Sequence, residues 1–112
     1  EGYELSSAYV GDAQVHYNQK KALADADFVY VKNWSSYTSY GQVLSQDPSW
    51  TISMDHLKVT NQAKVMHCLP VRRGVVIQDE VLDCSHAIHL DQAENRVYAA
   101  QAVLNRLLKT AH

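Results

Sequence analysis

A sharp change in residue type at positions 66–74 constrains this chain more than any other feature. A short apolar run ends at Met66, and a histidine, a thiol, a proline and two guanidinium groups then follow in the order MHCLPVRRG. The run indicates a buried strand. In open α/β sheets, ligands lie just beyond the carboxyl ends of the strands, where loops direct polar groups into a crevice. The sequence therefore predicts a ligand site near residues 67–73.

Length and composition predict one globular domain without a membrane or nucleic-acid partner. The 112 residues are 46% hydrophobic and 20% charged, a balance typical of a chain that folds around a core. The net charge is −2 and the ten basic residues are scattered, which argues against a phosphate-backbone partner. No apolar run approaches the roughly 20 residues that span a bilayer. We expect a cytoplasmic protein and, since the chain starts at Glu1 and has no glycine-rich nucleotide loop, a piece of a longer one.

Helical and strand patterns alternate along the chain, which is typical of an α/β fold with a parallel sheet flanked by helices. The expected strands are Phe28–Val31, Lys64–His67 and Ala87–Leu90. The expected helices cover 15–24, 53–59 with Ser53 as N-cap, 79–82 and about 91–109. The polar and aromatic segment 32–41 has neither period, and a loop of this length in a compact domain is predicted to act as a lid or binding loop.

The last predicted helix is amphipathic. Apolar residues recur there at spacings of three and four, from Ala93 through Val97 to the leucine pair at 107–108. Asp91 is the expected N-cap, and Glu94 three positions later completes a pattern similar to a capping box.

Cysteine and histidine usage predicts neither a disulfide framework nor a metal site. Cys68 and Cys84 are too few for a disulfide scaffold, so both thiols are expected to be reduced. The six histidines form no close-spaced ligand set. His86 and His89, three apart in a segment with strand character, would face opposite sides of a strand.

Several residues could carry chemistry, and each has an ordinary structural alternative. Arg72, after the second strand, and Arg96, near a helix start, suit an anionic ligand, although an exposed arginine often only covers apolar surface. Lys32 could reach the same crevice from the end of the first strand or be solvated. Cys68 could contact a ligand or fill apolar space; a nucleophile is not expected, because the one base nearby, His67, should point to the opposite face of the strand.

Pro70 affects the backbone of the turn that follows the second predicted strand. It lacks a backbone donor, has a fixed φ and can follow a cis peptide bond. We therefore expect the carbonyl oxygens of Cys68 and Leu69 to be free to accept from a ligand amide.

Two motifs in this order resemble the carboxyl-terminal half of the ornithine carbamoyltransferase family. They are HCLP at 67–70 and DQAENR at 91–96, and the similarity extends from about residue 11 to the end. Within that family, VKNW at 31–34 and VRR at 71–73 look like the N-acylornithine branch, since the Ser-Met-Gly segment of ordinary ornithine enzymes is absent. The resemblance implies a partial amino-acid-binding domain of the α/β class, spanning 1–112.

The resemblance also implies a reaction and its residues. A carbamoyl group would pass from carbamoyl phosphate to the side-chain amine of an ornithine derivative in arginine biosynthesis, in a homotrimer that needs no metal or other cofactor. Cys68, Leu69 and Arg96 would bind carbamoyl phosphate, with Cys68 and Arg96 catalytic. Lys32 and Arg72 would bind the carboxylates of the acylated amino acid.

The acyl group is expected to be succinyl. It adds a carboxylate that matches Lys32, and Val76 occupies the position where the N-acetylornithine enzymes have a lysine. Ordinary ornithine or N-acetylornithine transfer, and a non-catalytic α/β binding or assembly module, are the alternatives.

The family's Ser-Thr-Arg-Thr-Arg phosphate loop and His-Pro-x-Gln segment belong to an amino-terminal domain and do not occur in this chain. We therefore expect the chain alone to be inactive. We also expect its last helix to pack back toward that domain.

Overall fold

The computed structural model describes residues 2–36, 38–42 and 46–110 of the chain. The helices are α1 (Ser7–Val10), α2 (Gln19–Leu23), α3 (Met54–Leu57), α4 (Asp79–Leu82) and α5 (His89–Thr110), with a 3-10 turn at Pro48–Trp50. The strands are β1 (Phe28–Val31) and β2 (Lys64–His67), as the sequence predicts. The predicted loop 32–41 contains no helix or strand in its described residues, and residue 37 lies outside them.

The two strands form a parallel sheet in which their carboxyl ends are level. Phe28 pairs with Lys64, and Val31 pairs with His67. The residues that follow each strand, Lys32 and Cys68, therefore leave the sheet at the same edge. This register confirms the expected parallel α/β arrangement and puts the ends of both strands at one edge of the sheet.

The core lies on one face of this sheet. Val29, Val31 and Val65 turn inward, and loop and helix residues from 52 to 82 cover them. The alternate residues Phe28 and Tyr30 are 65% and 51% exposed, so the described residues cover only one face of β1. The continuous apolar character of β1 predicts cover on both faces, and that expectation is not met here.

The prediction of a third strand at Ala87–Leu90 is wrong, because only one residue of this segment pairs with the sheet. Ala87 forms an isolated parallel bridge with Val65. Helix α5 then begins at His89. Its first hydrogen bond runs from the amide of Gln92 to the carbonyl oxygen of Ile88 at 2.9 Å. Asp91 is consequently within the first helical turn and is not the N-cap.

Two other helix starts show how local side chains set the boundaries. Ser53 is the N-cap of α3, as predicted, and its backbone amide donates to Nδ1 of His56 at 3.2 Å. The first predicted helix is shorter than expected, since α2 begins at Gln19. The Asn18 side chain accepts from the backbone amide of Lys21 at 3.0 Å and caps the helix there.

Helix α5 leaves most of its surface uncovered. Its 22 residues span about 33 Å, and none of them is buried. The apolar stripe of α5 consists of large side chains that are 55% to 69% exposed, namely Leu90, Val97, Val103, Leu104, Leu107 and Leu108. No helix within the described ranges is both long and apolar enough to cross a membrane.

Candidate functional site

A cavity of about 390 Å³ lies where β2 ends and α5 begins. We call it the strand-end cavity. Its lining residues come from these two elements and are His67, Cys68, Gln92, Ala93, Asn95, Arg96 and Ala99. Cys68 and Arg96, 28 positions apart in the sequence, therefore share one cavity. A thiol and a guanidinium group from distant parts of the sequence therefore line the same space.

Three hydrogen bonds hold the turn at residues 67–70, whose first two residues line the strand-end cavity. The backbone amide of His67 donates to Oε1 of Gln92 at 3.0 Å, and the amide of Leu69 donates to Nδ1 of His67 at 2.9 Å. Nδ2 of Asn33 donates to the carbonyl oxygen of Pro70 at 3.0 Å. The turn is thus tied to α5 on one side and to the end of β1 on the other.

The backbone of this turn is unusual at two consecutive positions. Leu69 has a φ of +51°, in the left-handed region that residues with a Cβ avoid, and the Leu69–Pro70 peptide bond is cis. No residue in the described ranges donates a hydrogen bond to the carbonyl oxygens of Cys68 and Leu69. Neither oxygen therefore has a donor among the described residues.

Lys32 lies in a neighbouring cavity of about 270 Å³, which Trp34 and Trp50 also line. It is not among the residues that line the strand-end cavity. Its charge nevertheless acts on His67, because it contributes to lowering the pKa of that imidazole. The parallel register of β1 and β2 brings Lys32 and Cys68, which follow the two strands, to the same edge of the sheet.

The two consecutive arginines after the turn have different surroundings. Arg73 is held by two carboxylates: its Nε donates to Asp79 at 2.8 Å, and Nη2 donates to Asp83 at 2.7 Å. Arg72 is exposed and forms no ion pair with any residue that the structure describes. It lines neither cavity. Of the two guanidinium groups, Arg72 is the one available to a ligand.

His67 is a residue of this site to which sequence reasoning gave no role. Only 1% of it is exposed, and burial, followed by the charges of Lys32 and His89, lowers its pKa. The alternation of β2 could have shown that position 67 faces inward with Val65. Nothing in the sequence indicated that its ring would turn back to the amide of Leu69.

The structure gives the remaining cysteine and histidine side chains no arrangement that indicates a disulfide or, among the described residues, a metal site. Both thiols are free: Cys68 is exposed, and Sγ of half-buried Cys84 donates to the carbonyl oxygen of Val81 at 3.1 Å. His86 makes a 3.2 Å hydrogen bond with the carbonyl oxygen of Ala63. Within the described ranges, no three His, Cys, Asp or Glu residues are grouped so that they could hold a metal ion.

Comparison with known proteins extends these observations. Relatives include the N-succinylornithine carbamoyltransferase of Bacteroides thetaiotaomicron, 49% identical over 97% of this chain and 35% of the relative. The ornithine carbamoyltransferase of Archaeoglobus fulgidus is 40% identical over 80% of this chain and 30% of that protein. A crystal structure of a mutant N-acetyl-L-ornithine transcarbamylase with carbamyl phosphate and N-succinyl-L-norvaline has a TM-score of 0.80 and 29% identity, over 92% of this chain and 36% of that one.

The chain spans about 35% of the length of the N-succinylornithine carbamoyltransferases that it matches. Residues 4–107 match the Asp/Orn-binding domain of aspartate/ornithine carbamoyltransferases. Both sequence motifs, at 67–70 and 91–96, fall inside this match. The chain belongs to the aspartate/ornithine carbamoyltransferase family.

Proposed function

We propose that the protein containing this chain transfers a carbamoyl group from carbamoyl phosphate to the side-chain amine of an N-acylornithine. The acyl group is succinyl. The observation that carries the proposal is that Cys68 and Arg96 line one cavity beside two free carbonyl oxygens. The 49% identity with N-succinylornithine carbamoyltransferases supports the choice of substrate.

The reaction is a displacement at the carbonyl carbon of carbamoyl phosphate. The neutral amine attacks that carbon, a C–N bond forms, and a tetrahedral intermediate carries negative charge on the former carbonyl oxygen. The C–O bond to phosphate then breaks, and phosphate leaves with the electron pair and takes up the proton that the amine nitrogen loses. Placing the two reactants together and stabilising the oxyanion provide most of the acceleration.

The strand-end cavity supplies groups suited to both tasks. The guanidinium of Arg96 would bind carbamoyl phosphate and offset the charge that grows on the oxyanion. The carbonyl oxygen of Leu69 would accept from the carbamoyl amide, with the Cys68 side chain beside it. Because these acceptors belong to the backbone, they orient the amide without adding a formal charge.

The acylated amino acid requires cationic partners for its carboxylates. N-acylation removes the α-ammonium charge, and a succinyl group adds a second carboxylate. Lys32, in the neighbouring cavity, and the unpaired Arg72 would bind these groups. Arg73 would take no direct part, since Asp79 and Asp83 already engage it.

The rest of the active site lies outside this chain in our proposal. A carbamoyl-phosphate-binding domain would complete the strand-end cavity, and α5 would pack back toward it. The exposed apolar stripe of α5 supports this arrangement, because such a surface is usually covered by protein. We include a homotrimer in the proposal on the basis of the family resemblance.

The test is carbamoyl transfer by the intact protein with N-succinylornithine, N-acetylornithine and ornithine as alternative substrates. We expect the largest kcat/KM with the succinylated substrate. Equal use of all three substrates would overturn the specificity, and no transfer to any of them would overturn the function.

The role of Arg96 is tested in the same assay. Arg96→Ala removes the charge opposite the oxyanion, so we expect kcat to fall about 100- to 1,000-fold. Arg106→Ala is the matched control, since Arg106 is an exposed arginine of the same helix that does not line the strand-end cavity. Equal kinetics for the two variants would reject the role of Arg96.

A further inference from the structure

His67 is buried at the end of β2, and the proposed mechanism gives it no role. Two hydrogen bonds lead away from it. Its ring Nδ1 accepts from the amide of Leu69 at 2.9 Å, and its own backbone amide donates to Oε1 of Gln92 at 3.0 Å. One bond reaches the turn that carries the free carbonyl oxygens, and the other reaches the helix that carries Arg96.

The turn requires such a restraint. Leu69 is at φ +51°, a left-handed backbone conformation that is unfavourable for a residue with a Cβ. Conformations of this kind persist only where the surrounding structure holds them. The bond from the Leu69 amide to His67 acts on the strained residue itself. The bond from Asn33 to Pro70 acts on the next residue.

Gln92 extends the restraint to the other wall of the strand-end cavity. Gln92 and Arg96 are four residues apart in α5 and therefore lie on the same side of the helix, one turn apart. Both line the cavity. Since the Gln92 side chain is fixed to the backbone of His67, the part of α5 that presents Arg96 is fixed to the end of β2.

We propose that His67 is a positioning residue which, with Gln92, holds the carbonyl oxygens of Cys68 and Leu69 at a set separation from the Arg96 guanidinium. The inference rests on the proposed function, because these are the groups assigned to carbamoyl phosphate. Misplacement of reacting groups by about 1 Å can cost around 100-fold in rate. A restraint remote from the chemistry can therefore control kcat.

The bond to Leu69 also requires a defined protonation state. Nδ1 can accept only when it carries no proton, so the ring is the neutral tautomer with its proton on Nε2. The cationic or titratable groups that act on this ring are Lys32 from the end of β1 and His89 from α5. Together with burial they lower its pKa, which favours the neutral ring. Nε2 has no partner among the described residues.

Two substitutions at position 67 separate positioning from packing. In His67→Asn the side-chain oxygen can take the place of Nδ1, whereas in His67→Gln the longer amide reaches toward the place of Nε2. We expect His67→Gln to lower kcat about 100-fold with little change in KM for the acylornithine, and His67→Asn to stay within about tenfold of the wild type. A merely structural role gives the opposite order, because asparagine leaves the larger void.

Gln92 provides a second test if the variants at position 67 fail to fold. Gln92→Leu removes the acceptor for the His67 amide and adds no charge to the strand-end cavity. We expect Gln92→Leu to lose most of kcat. If the kcat of His67→Gln equals or exceeds that of His67→Asn, or if the kcat of Gln92→Leu equals that of the wild type, the inference is overturned.

Hydrogen exchange in the intact protein gives a readout independent of catalysis. We expect the segment 67–74 to exchange faster in His67→Gln than in the wild type and His67→Asn. If the wild type transfers no carbamoyl group but this contrast appears, the proposed function fails while the restraint is established. If the exchange rates of all three proteins agree, the restraint itself is rejected.

Discussion

At the scale of single residues, the site is defined by which charged groups are already paired. Arg72 and Arg73 are adjacent in sequence, yet two aspartates engage Arg73 and no described acidic residue engages Arg72. Lys32 likewise has no ion pair among the described residues, and it lines a cavity beside two tryptophans. An unpaired cation beside an apolar wall is suited to the carboxylate of an acyl chain.

Removal of the Lys32 charge tests this assignment. In the intact protein we expect Lys32→Ala to raise KM for N-succinylornithine about 10- to 100-fold, the effect of losing one hydrogen bond to a charged group. KM for N-acetylornithine should change less, because that substrate lacks the second carboxylate. Lys21→Ala removes a charge from the exposed surface of α2 and serves as the control. A uniform rise in KM for both substrates would contradict a specific contact with the succinyl group.

At the scale of elements, the segment between β2 and α4 is held by its own backbone and by Arg73. The amide of Gly74 donates to the carbonyl oxygen of Ile77 at 2.8 Å, and Gly74 has a φ of +69°. The two ion pairs of Arg73 connect the segment to α4. Their carboxylates are well exposed to solvent, so such pairs contribute little to stability.

The backbone at Gly74 should matter more than these ion pairs. A Cβ at Gly74 would meet no atom within 4 Å, so only the left-handed backbone opposes a substitution there. We expect Gly74→Ala to lower the free energy of unfolding by about 1–2 kcal/mol. Gly74→Asn should cost less, because asparagine tolerates this region. Urea denaturation of the intact protein measures both, and equal stabilities of Gly74→Ala and wild type would show that the turn relaxes.

At the scale of the whole molecule, α5 is the feature that the described chain does not explain. None of its 22 residues is buried, so the described parts of the chain cover little of its length. The residues 90, 97, 104 and 108 recur along one side, at spacings of seven and four. We expect the carbamoyl-phosphate-binding domain to cover this side in the intact protein.

A charge on either side of α5 tests that arrangement. Leu104→Glu places a carboxylate within the apolar stripe of α5, whereas Ala102→Glu places one about 160° around the helix. In the intact protein we expect Leu104→Glu to lower the thermal unfolding midpoint by several degrees, since burial of a leucine is worth about 1.5–3 kcal/mol. Ala102→Glu should have little effect. Equal midpoints for the two variants would place the stripe in solvent.

The parts of the fold that followed from sequence were those governed by local pattern. Continuous β-branched and aromatic character identified β1, and the short apolar run before Cys68 identified β2, both at their observed bounds; Ser53 identified the start of α3. The segment after Ser85 was less tractable. In this segment only Ala87 forms a bridge to β2, and the helix begins at His89. The backbone hydrogen bonds of Val65 with His86 and Ile88 decide where the chain leaves the sheet.

The sequence by itself determined the identity of the reactive groups and their order, because thiol, proline and guanidinium residues follow strand and helix signals that are readable over a few positions. Tertiary structure alone decided which of them meet. Cys68 and Arg96 converge because β2 and α5 pack together, Lys32 falls in a separate cavity, and His67 turns its ring to Leu69. Such arrangements depend on contacts between residues distant in the chain, and no local pattern records them.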